Sequence, residues 1–315
     1  MSKTVILSPV GGQAIHGIVE YFRSFGFRIV GIDSDPMAVG QILVDRFLQV
    51  PLTSELEYGE TILRLLRSEK NALFISWLNP EIEYWNRRFL EKSIPLDVLS
   101  KFAFSFHSLL DELSDKWGLY VRGRKNGLPV CETRILSNPG EVFYPAFMKP
   151  RRGYGSRSTS KISSQKELEI LTNACDQPRQ YVIQPYLIGK EFTVDFFSRA
   201  GQVVNIVVRE RIRSRGVSMI GDIVFRDDIE EIVSDFSRVF QLEGVNNVQL
   251  IETKTDCLIT DFNPRPSGTI MLSVHAGVDL LHNLVNSTGG INPISYGKPK
   301  RVRMRRILHE YYEEF

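Results

Sequence analysis

Val248–Gly268 reads VQLIETKTDCLITDFNPRPSG, two apolar runs joined by a polar turn. Asn246–Ile251 and Cys257–Phe262 are expected to pair as a hairpin turning near Thr255, which sets Gln249 opposite Asp261. Side chains two apart share a strand face, so Asn263 joins Gln249 and Asp261, and Arg265 follows if the strand stays extended. Three oxygen-bearing side chains and a guanidinium then occupy one surface. Mg²⁺ takes few carboxylates, other oxygen ligands and substrate phosphates, and an arginine suits developing negative charge. The plainer reading is a solvated outer sheet face, but such a face does not call for the density of D-F-N-P-R-P-S-G.

Working back toward the N-terminus, Glu191–Phe197 and Gln202–Val208 flank Ser198–Gly201, a hairpin signal. Ile229–Phe240 is an amphipathic helix with acids in its first turn. Hairpins mixed with helices indicate an α+β unit. The first hundred residues differ. Strand signals at Thr4–Leu7, Phe27–Ile32 and Ala72–Trp77 alternate with helical patterns through Ile15–Phe22, Leu56–Arg67 and Ile82–Trp85–Phe89, which predicts a parallel, Rossmann-like sheet.

Two further stretches carry chemistry. In Lys149–Ser160, KPRRGYGSRSTS, a strand-like run delivers a lysine and a loop with Gly153 and Gly155 follows. Glycines let backbone N–H groups close over phosphate oxygens, and lysine adds a compact charge. The lysine precedes the glycines, so this is not a Walker P-loop; an ordinary basic hairpin turn reads equally well. Val182–Glu191, VIQPYLIGKE, has the form of a hinge whose backbone pairs with an adenine edge, or of a simple strand–turn–strand.

The order and spacing of these stretches, with Ser114–Thr133 (SDKWGLYVRGRKNGLPVCET), resemble the ATP-grasp superfamily, in the branch similar to the carbamoyl-phosphate synthetase large chain. The resemblance covers nearly the whole chain. It implies a Rossmann-like pre-ATP-grasp domain over 1–100 and a two-lobed ATP-grasp domain over 101–290. The lid lobe would span about 118–184 and the core lobe about 185–290, with a basic and aromatic segment over 291–315. Lys116 and Lys149 would contact ATP phosphates, and Gly153, Gly155 and Ser156 would close over them. Gln184 and the backbone around Tyr186 and Leu187 would hold adenine, and Glu191 the ribose. Gln249, Asp261 and Asn263 would hold Mg²⁺, with Mn²⁺ a possible substitute. Arg265, Lys149 and Asn263 would form the catalytic set. Three positions depart from the pattern: Pro185 replaces a frequently charged residue, Gln249 a frequent Glu, and Asp261 a longer Glu. One metal ion is a safer expectation than two.

Arg209, Arg211, Arg213 and Arg215 alternate in VVRERIRSRG. An extended strand would place all four on one face, where an anionic substrate group would offset their repulsion; a solvated loop is the alternative. Arg209 and Arg211 are the candidate substrate residues. His275 is more simply a packed residue than a catalyst. Gly11, Gly12, Gly17 and Asp33 invite a dinucleotide reading, but G-G-x-x-x-x-G is not G-x-G-x-x-G.

Composition narrows the partners. A net charge of +2 over 315 residues gives no reason to expect nucleic acid. No apolar run reaches the roughly 18 residues of a membrane span, and Cys131, Cys175 and Cys257 lack metal-ligand spacing. The expectation is a cytoplasmic, ADP-forming carboxylate–amine ligase, to which the resemblance adds a homodimer. Its rivals are a nucleotide-binding subunit without turnover and an NAD(P)-dependent oxidoreductase.

Overall fold

A computed structural model of the chain describes residues 3–153, 158–307 and 309–312, with Arg215 by its backbone alone. Short apolar runs separated by amphipathic helices build the first layer: β1 (Thr4–Ser8), α1 (Ile15–Ser24), β2 (Arg28–Asp33), β3 (Arg46–Gln49), α2 (Tyr58–Ser68), β4 (Ala72–Ser76) and α3 (Asn79–Leu90). The strands are parallel in the order β3-β2-β1-β4. Alternation sorts their side chains between two cores. Ile6, Val30 and Phe74 meet Ile62, Leu66, Ile82 and Trp85 of α2 and α3, whereas Val5, Leu7 and Ile29 meet Ile18 and Phe22 of α1.

Two details differ from the sequence reading. The edge strand β3 is too short and too polar (RFLQ) to register as a strand. On α3, Asn86 rather than Phe89 continues the buried stripe of Ile82 and Trp85; Phe89 is partly exposed and stacks on Phe106 at 4.3 Å. Asn86 is buried because its amide donates to the His107 carbonyl (3.0 Å) and accepts from the His107 N–H (2.8 Å).

Short helices α4 (Leu96–Leu99) and α5 (Leu110–Leu113) lead to α6 (Lys116–Lys125), whose N-cap Asp115 accepts from the Trp117 N–H at 3.0 Å. A small antiparallel sheet follows, from β5 (Arg134–Ile135), β6 (Ala146–Pro150), β7 (Ser160–Ile162) and β8 (Tyr181–Pro185), in the order β5-β8-β6-β7. Helix α7 (Gln165–Ala174) covers it through Leu168, which packs with Ala146, Met148, Ile162 and Ile183.

The large sheet contains β9 (Lys190–Arg199), β10 (Gln202–Arg215), β11 (Val217–Ile223), β12 (Gly244–Glu252), β13 (Cys257–Asn263) and β14 (Arg303–Arg305), in the order β13-β12-β9-β10-β11-β14. Ala200 and Gly201, both at positive φ (48° and 73°), make the two-residue turn between β9 and β10. Helix α8 (Asp227–Phe240) buries Ile229, Val233, Phe236 and Phe240 against Phe192, Val194, Phe196 and Val248 on one face of the sheet. The opposite face is divided. Near the ends of β9 and β12 it is apolar: Phe197, Val207 and Val245 join α9 (Ile270–His275), α10 (Leu280–Thr288) and the α1 side of the first sheet in one continuous core. Farther along it is polar. The basic and aromatic segment over 291–315 contributes β14, which pairs with the open edge of β11, and Arg303 forks onto Asp222 (2.7 and 2.6 Å).

Candidate active site

Where the two sheets face one another, three charged side chains converge. Leu250 pairs with Ile259 and Gln249 with Asp261, so Thr260 is an extra residue bulged from β13. The bulge presents the Thr260 carbonyl to the small sheet, and Lys149 of β6 donates to it through Nζ at 3.2 Å. Lys116 opens α6, with Nζ 3.3 Å from Asp261 Oδ1, and both side chains are largely shielded from solvent. Two ammonium groups around one carboxylate leave net positive charge in a poorly hydrated place. Burial pushes Lys149 down to about 8, Lys116 adds to the shift, and Asp261 opposes it. Cys131 lies close enough to feel Lys149, but burial raises its thiol to about 11, which leaves it protonated near neutrality.

Gln249 stands opposite Asp261, as the hairpin register requires. Strand β13 does not stay extended to Arg265: the chain turns at Asn263, whose carbonyl accepts from the Arg265 N–H at 2.9 Å. The guanidinium still returns to the same face. Its Nη2 donates to Asn263 Oδ1 (3.3 Å), its Nη1 to the Pro266 carbonyl (3.0 Å) and its Nε to Asn79 Oδ1 (2.6 Å). These acceptors are all neutral. Burial lowers Arg265 to about 10, against the opposing fields of Asp261 and Asp195.

The remaining expectations fall out unevenly. Gln184 is buried and donates to Thr133 Oγ1 at 2.8 Å. The Tyr186 N–H already donates to the Pro145 carbonyl (3.0 Å), its ring carries Lys161 Nζ 4.5 Å from the centroid, and Leu187 is half-buried. Glu191 is half-exposed and pairs with Arg211 Nη1 at 3.1 Å. Gly153 is exposed, and Gly155 and Ser156 lie outside the described residues. His275 is exposed.

The arginine series is corrected by the structure. Register shifts after Arg211 and after Arg213 break the alternation, so the four do not share a face. Arg209 is 2% exposed and already has its anion: Nη2 lies 2.6 Å from Asp195 Oδ2 and donates to Ser267 Oγ at 2.8 Å, and Nη1 donates to Thr269 Oγ1. Arg211 is half-buried and also donates to Ser218 Oγ (3.1 Å), Arg213 is exposed, and the Arg215 side chain is outside the description. Asp33 is equally committed. Its carboxylate accepts from the Gly11 N–H (2.7 Å) and the Asp35 N–H (3.1 Å), holding the turn that a dinucleotide would need open.

Two polar residues escaped the sequence reading. Asn247 precedes Gln249 by two positions and shares its face, a signal the alternation rule carries. Asn79 comes from the first domain, and nothing local in LNPEIE announces that it crosses to β13.

No group of three or more His, Cys, Asp or Glu side chains able to hold a metal occurs among the described residues. One carboxylate, Asp261, stands beside the amides of Gln249 and Asn263, and Asn263 Oδ1 already accepts two donors. That set fits one hard cation arriving with phosphate oxygens and is not a self-sufficient metal site. No described helix is long and apolar enough to cross a membrane.

Comparison with known proteins gives a consistent likeness. Residues 177–308 match the family model described as ATP-grasp in the biosynthetic pathway with Ter operon. The arginine-specific large chain of carbamoyl phosphate synthase from Bacillus subtilis is 24% identical over 293 residues, covering 85% of this chain and 27% of that protein. The chain thus spans about a quarter of the curated relatives it matches. Among solved structures, the biotin carboxylase domain of Hydrogenobacter thermophilus 2-oxoglutarate carboxylase superposes with a TM-score of 0.74 at 14% identity, covering 95% of this chain and 72% of that one. N5-carboxyaminoimidazole synthetase from Staphylococcus aureus gives 0.73 at 15%, covering 98% and 82%. The Rossmann-like sheet, small antiparallel sheet and large sheet that meet at Lys149, Lys116 and Asp261 give the chain the fold of these structures, and its sequence is similar to the ATP-grasp model over residues 177–308 and to the carbamoyl phosphate synthase large chain.

Proposed function

We propose that this protein is an ATP-dependent carboxylate–amine ligase that forms an amide through an acyl phosphate. The convergence of Lys116 and Lys149 on Asp261 between the two sheets, with Arg265 four positions beyond, carries this reading. It places three cations around one carboxylate, an arrangement that a bound polyanion completes. The Hydrogenobacter and Staphylococcus structures of the same fold contain ADP, the former also with magnesium.

In the first step a carboxylate oxygen attacks the γ-phosphorus of ATP; the new O–P bond forms as the bridging O–P bond to ADP breaks. Lys149 and Lys116 neutralise the phosphate oxygens, and Arg265 faces the charge that develops on the transferred group. A single Mg²⁺, held by Asp261 with Gln249 or Asn263, would supply further charge neutralisation when bound; Mn²⁺ has compatible oxygen chemistry. In the second step an amine nitrogen attacks the acyl carbon, phosphate leaves, and the nitrogen loses a proton. No side-chain nucleophile is required. Gln184, Leu187 and the backbone near Tyr186 would line the adenine, and Glu191 the ribose after releasing Arg211. The domain limits expected from the sequence, 1–100 and 101–290, remain part of this proposal, as do cytoplasmic action on small molecules and a homodimer.

The test is ADP release with Mg²⁺ and ATP across pools of carboxylic acids and amines, beside Lys149→Ala. ADP formed only with a particular acid–amine pair, and lost in the variant, supports the ligase. ATP binding with no ADP from any pool would favour a nucleotide-binding protein without turnover.

A further inference from the structure

Four polar contacts close a circuit across the boundary between the first domain and the large sheet. Arg265 Nε donates to Asn79 Oδ1 (2.6 Å), Asn79 Nδ2 to Asn263 Oδ1 (2.9 Å), Asn263 Nδ2 to Asn247 Oδ1 (3.3 Å), and Asn247 Nδ2 to the Arg265 carbonyl (2.8 Å). Asn79, Asn247 and Asn263 are buried. Asn79 is the member that contacts both the Arg265 guanidinium and the Asn263 amide, and the only one supplied by the other domain.

We propose that Asn79 is a positioning residue for the phosphoryl-transfer step, one that fixes the Arg265 guanidinium and the orientation of the Asn263 amide. The inference rests on the ligase reading above. Asn79 is itself held firmly. It opens α3 immediately before Pro80, whose ring fixes the backbone angle there. The preceding turn is tied by Ser76 Oγ, which accepts from the Leu78 N–H (3.0 Å) and donates to the buried Glu81 (2.6 Å). A short amide on a fixed helix start transmits little slack. Its chemistry also matters. An amide oxygen holds a guanidinium without cancelling its charge, whereas a carboxylate at the same position would compete with the substrate anion for it. Neutral acceptors therefore leave Arg265 available to an anion, at the cost of burying a cation that, among the described residues, no counter-ion touches directly.

The inference is tested with Asn79→Ala and with Asn79→Asp, which preserves shape but removes the donor and adds a charge. Calorimetry measures binding of MgADP alone and of MgADP with aluminium fluoride, a mimic of the transferring phosphoryl group. Wild type is expected to bind the fluoride-containing mixture at least about 100-fold more tightly than MgADP. Both variants should lose most of that gain, with any weakening of MgADP binding itself, through the Asn263 amide, the smaller effect. Their kcat should fall about 10- to 100-fold with KM for ATP little changed. Variants that keep both the wild-type gain and kcat, with or without a lowered melting temperature, would overturn the role of Asn79. If Asn79→Ala does not fold, Asn79→Asp decides. A wild type that binds no MgADP removes the nucleotide reading, and this inference with it.

Discussion

Lys149 has two consequences that separate by pH. Its folded-state pKa of about 8 lies below the ordinary 10.5, because burial and Lys116 disfavour the ammonium. The fold therefore carries the full penalty of that charge below pH 8 and sheds it as pH rises toward 10.5. Binding runs the other way, since phosphate oxygens need the ammonium. On the ligase reading, kcat/KM for ATP should fall above about pH 8 as Lys149 deprotonates in the free enzyme. Asp261→Asn removes the carboxylate that holds the Lys149 pKa up, so its alkaline limb should move to lower pH. Lys149→Arg should abolish the limb while retaining some activity, because a guanidinium does not titrate in this range. A kcat/KM profile with the same alkaline limb in all three proteins would show that the limb does not arise from Lys149 of the free enzyme. Lys149→Ala should lose ADP release altogether in the acid–amine assay.

Among the elements, the pairing of β9 with β10 encloses a fully buried ion pair. Asp195 and Arg209 are both buried, and Ser267 and Thr269 complete their shell; among the described residues, Asp195 Oδ1 and Arg209 Nε have no hydrogen-bond partner. Truncation of one partner leaves the other charge buried and alone. Asp195→Ala should therefore cost about 3–5 kcal/mol in denaturant unfolding, and the pair Asp195→Leu with Arg209→Met much less. Equal losses in the single and double variants would mean that packing, not charge, sets the cost. This pair also marks the limit of reading β10 from its sequence. Alternation correctly gives Arg209 and Arg211 one face, but it cannot supply Asp195 from the neighbouring strand or the bulges that redirect Arg213. The hairpin of β12 and β13 was more legible, because a polar turn and two apolar runs fix Gln249 against Asp261 without tertiary information. Arg265 reached the same face by a turn instead of by extension, and Asn79 could not be read at all, since its partners lie 184 and 186 residues away.

Taken as one body, the molecule carries a hydrophobic core that is shared across residue 100. The core beneath α1 continues into Phe197, Val207, Val245, Ile270 and Leu280, and Tyr21 donates to both oxygens of Asp279 (2.9 Å each), which also caps α10 through the His282 N–H at 2.8 Å. Thermal unfolding followed by calorimetry and by tyrosine fluorescence should accordingly give one coincident transition; two resolved transitions would show that the shared core does not couple the halves. Tyr21→Phe should lower stability by about 1 kcal/mol through the lost bonds to Asp279. The amide circuit through Asn79 bears on ancestry as well as stability. If lineages exchange first domains by recombination, a donor lacking an amide at this position would deliver a folded chimera with a misdirected Arg265. Asn79, Asn247, Asn263 and Arg265 should then be inherited as a block, despite standing in two different modules of the chain.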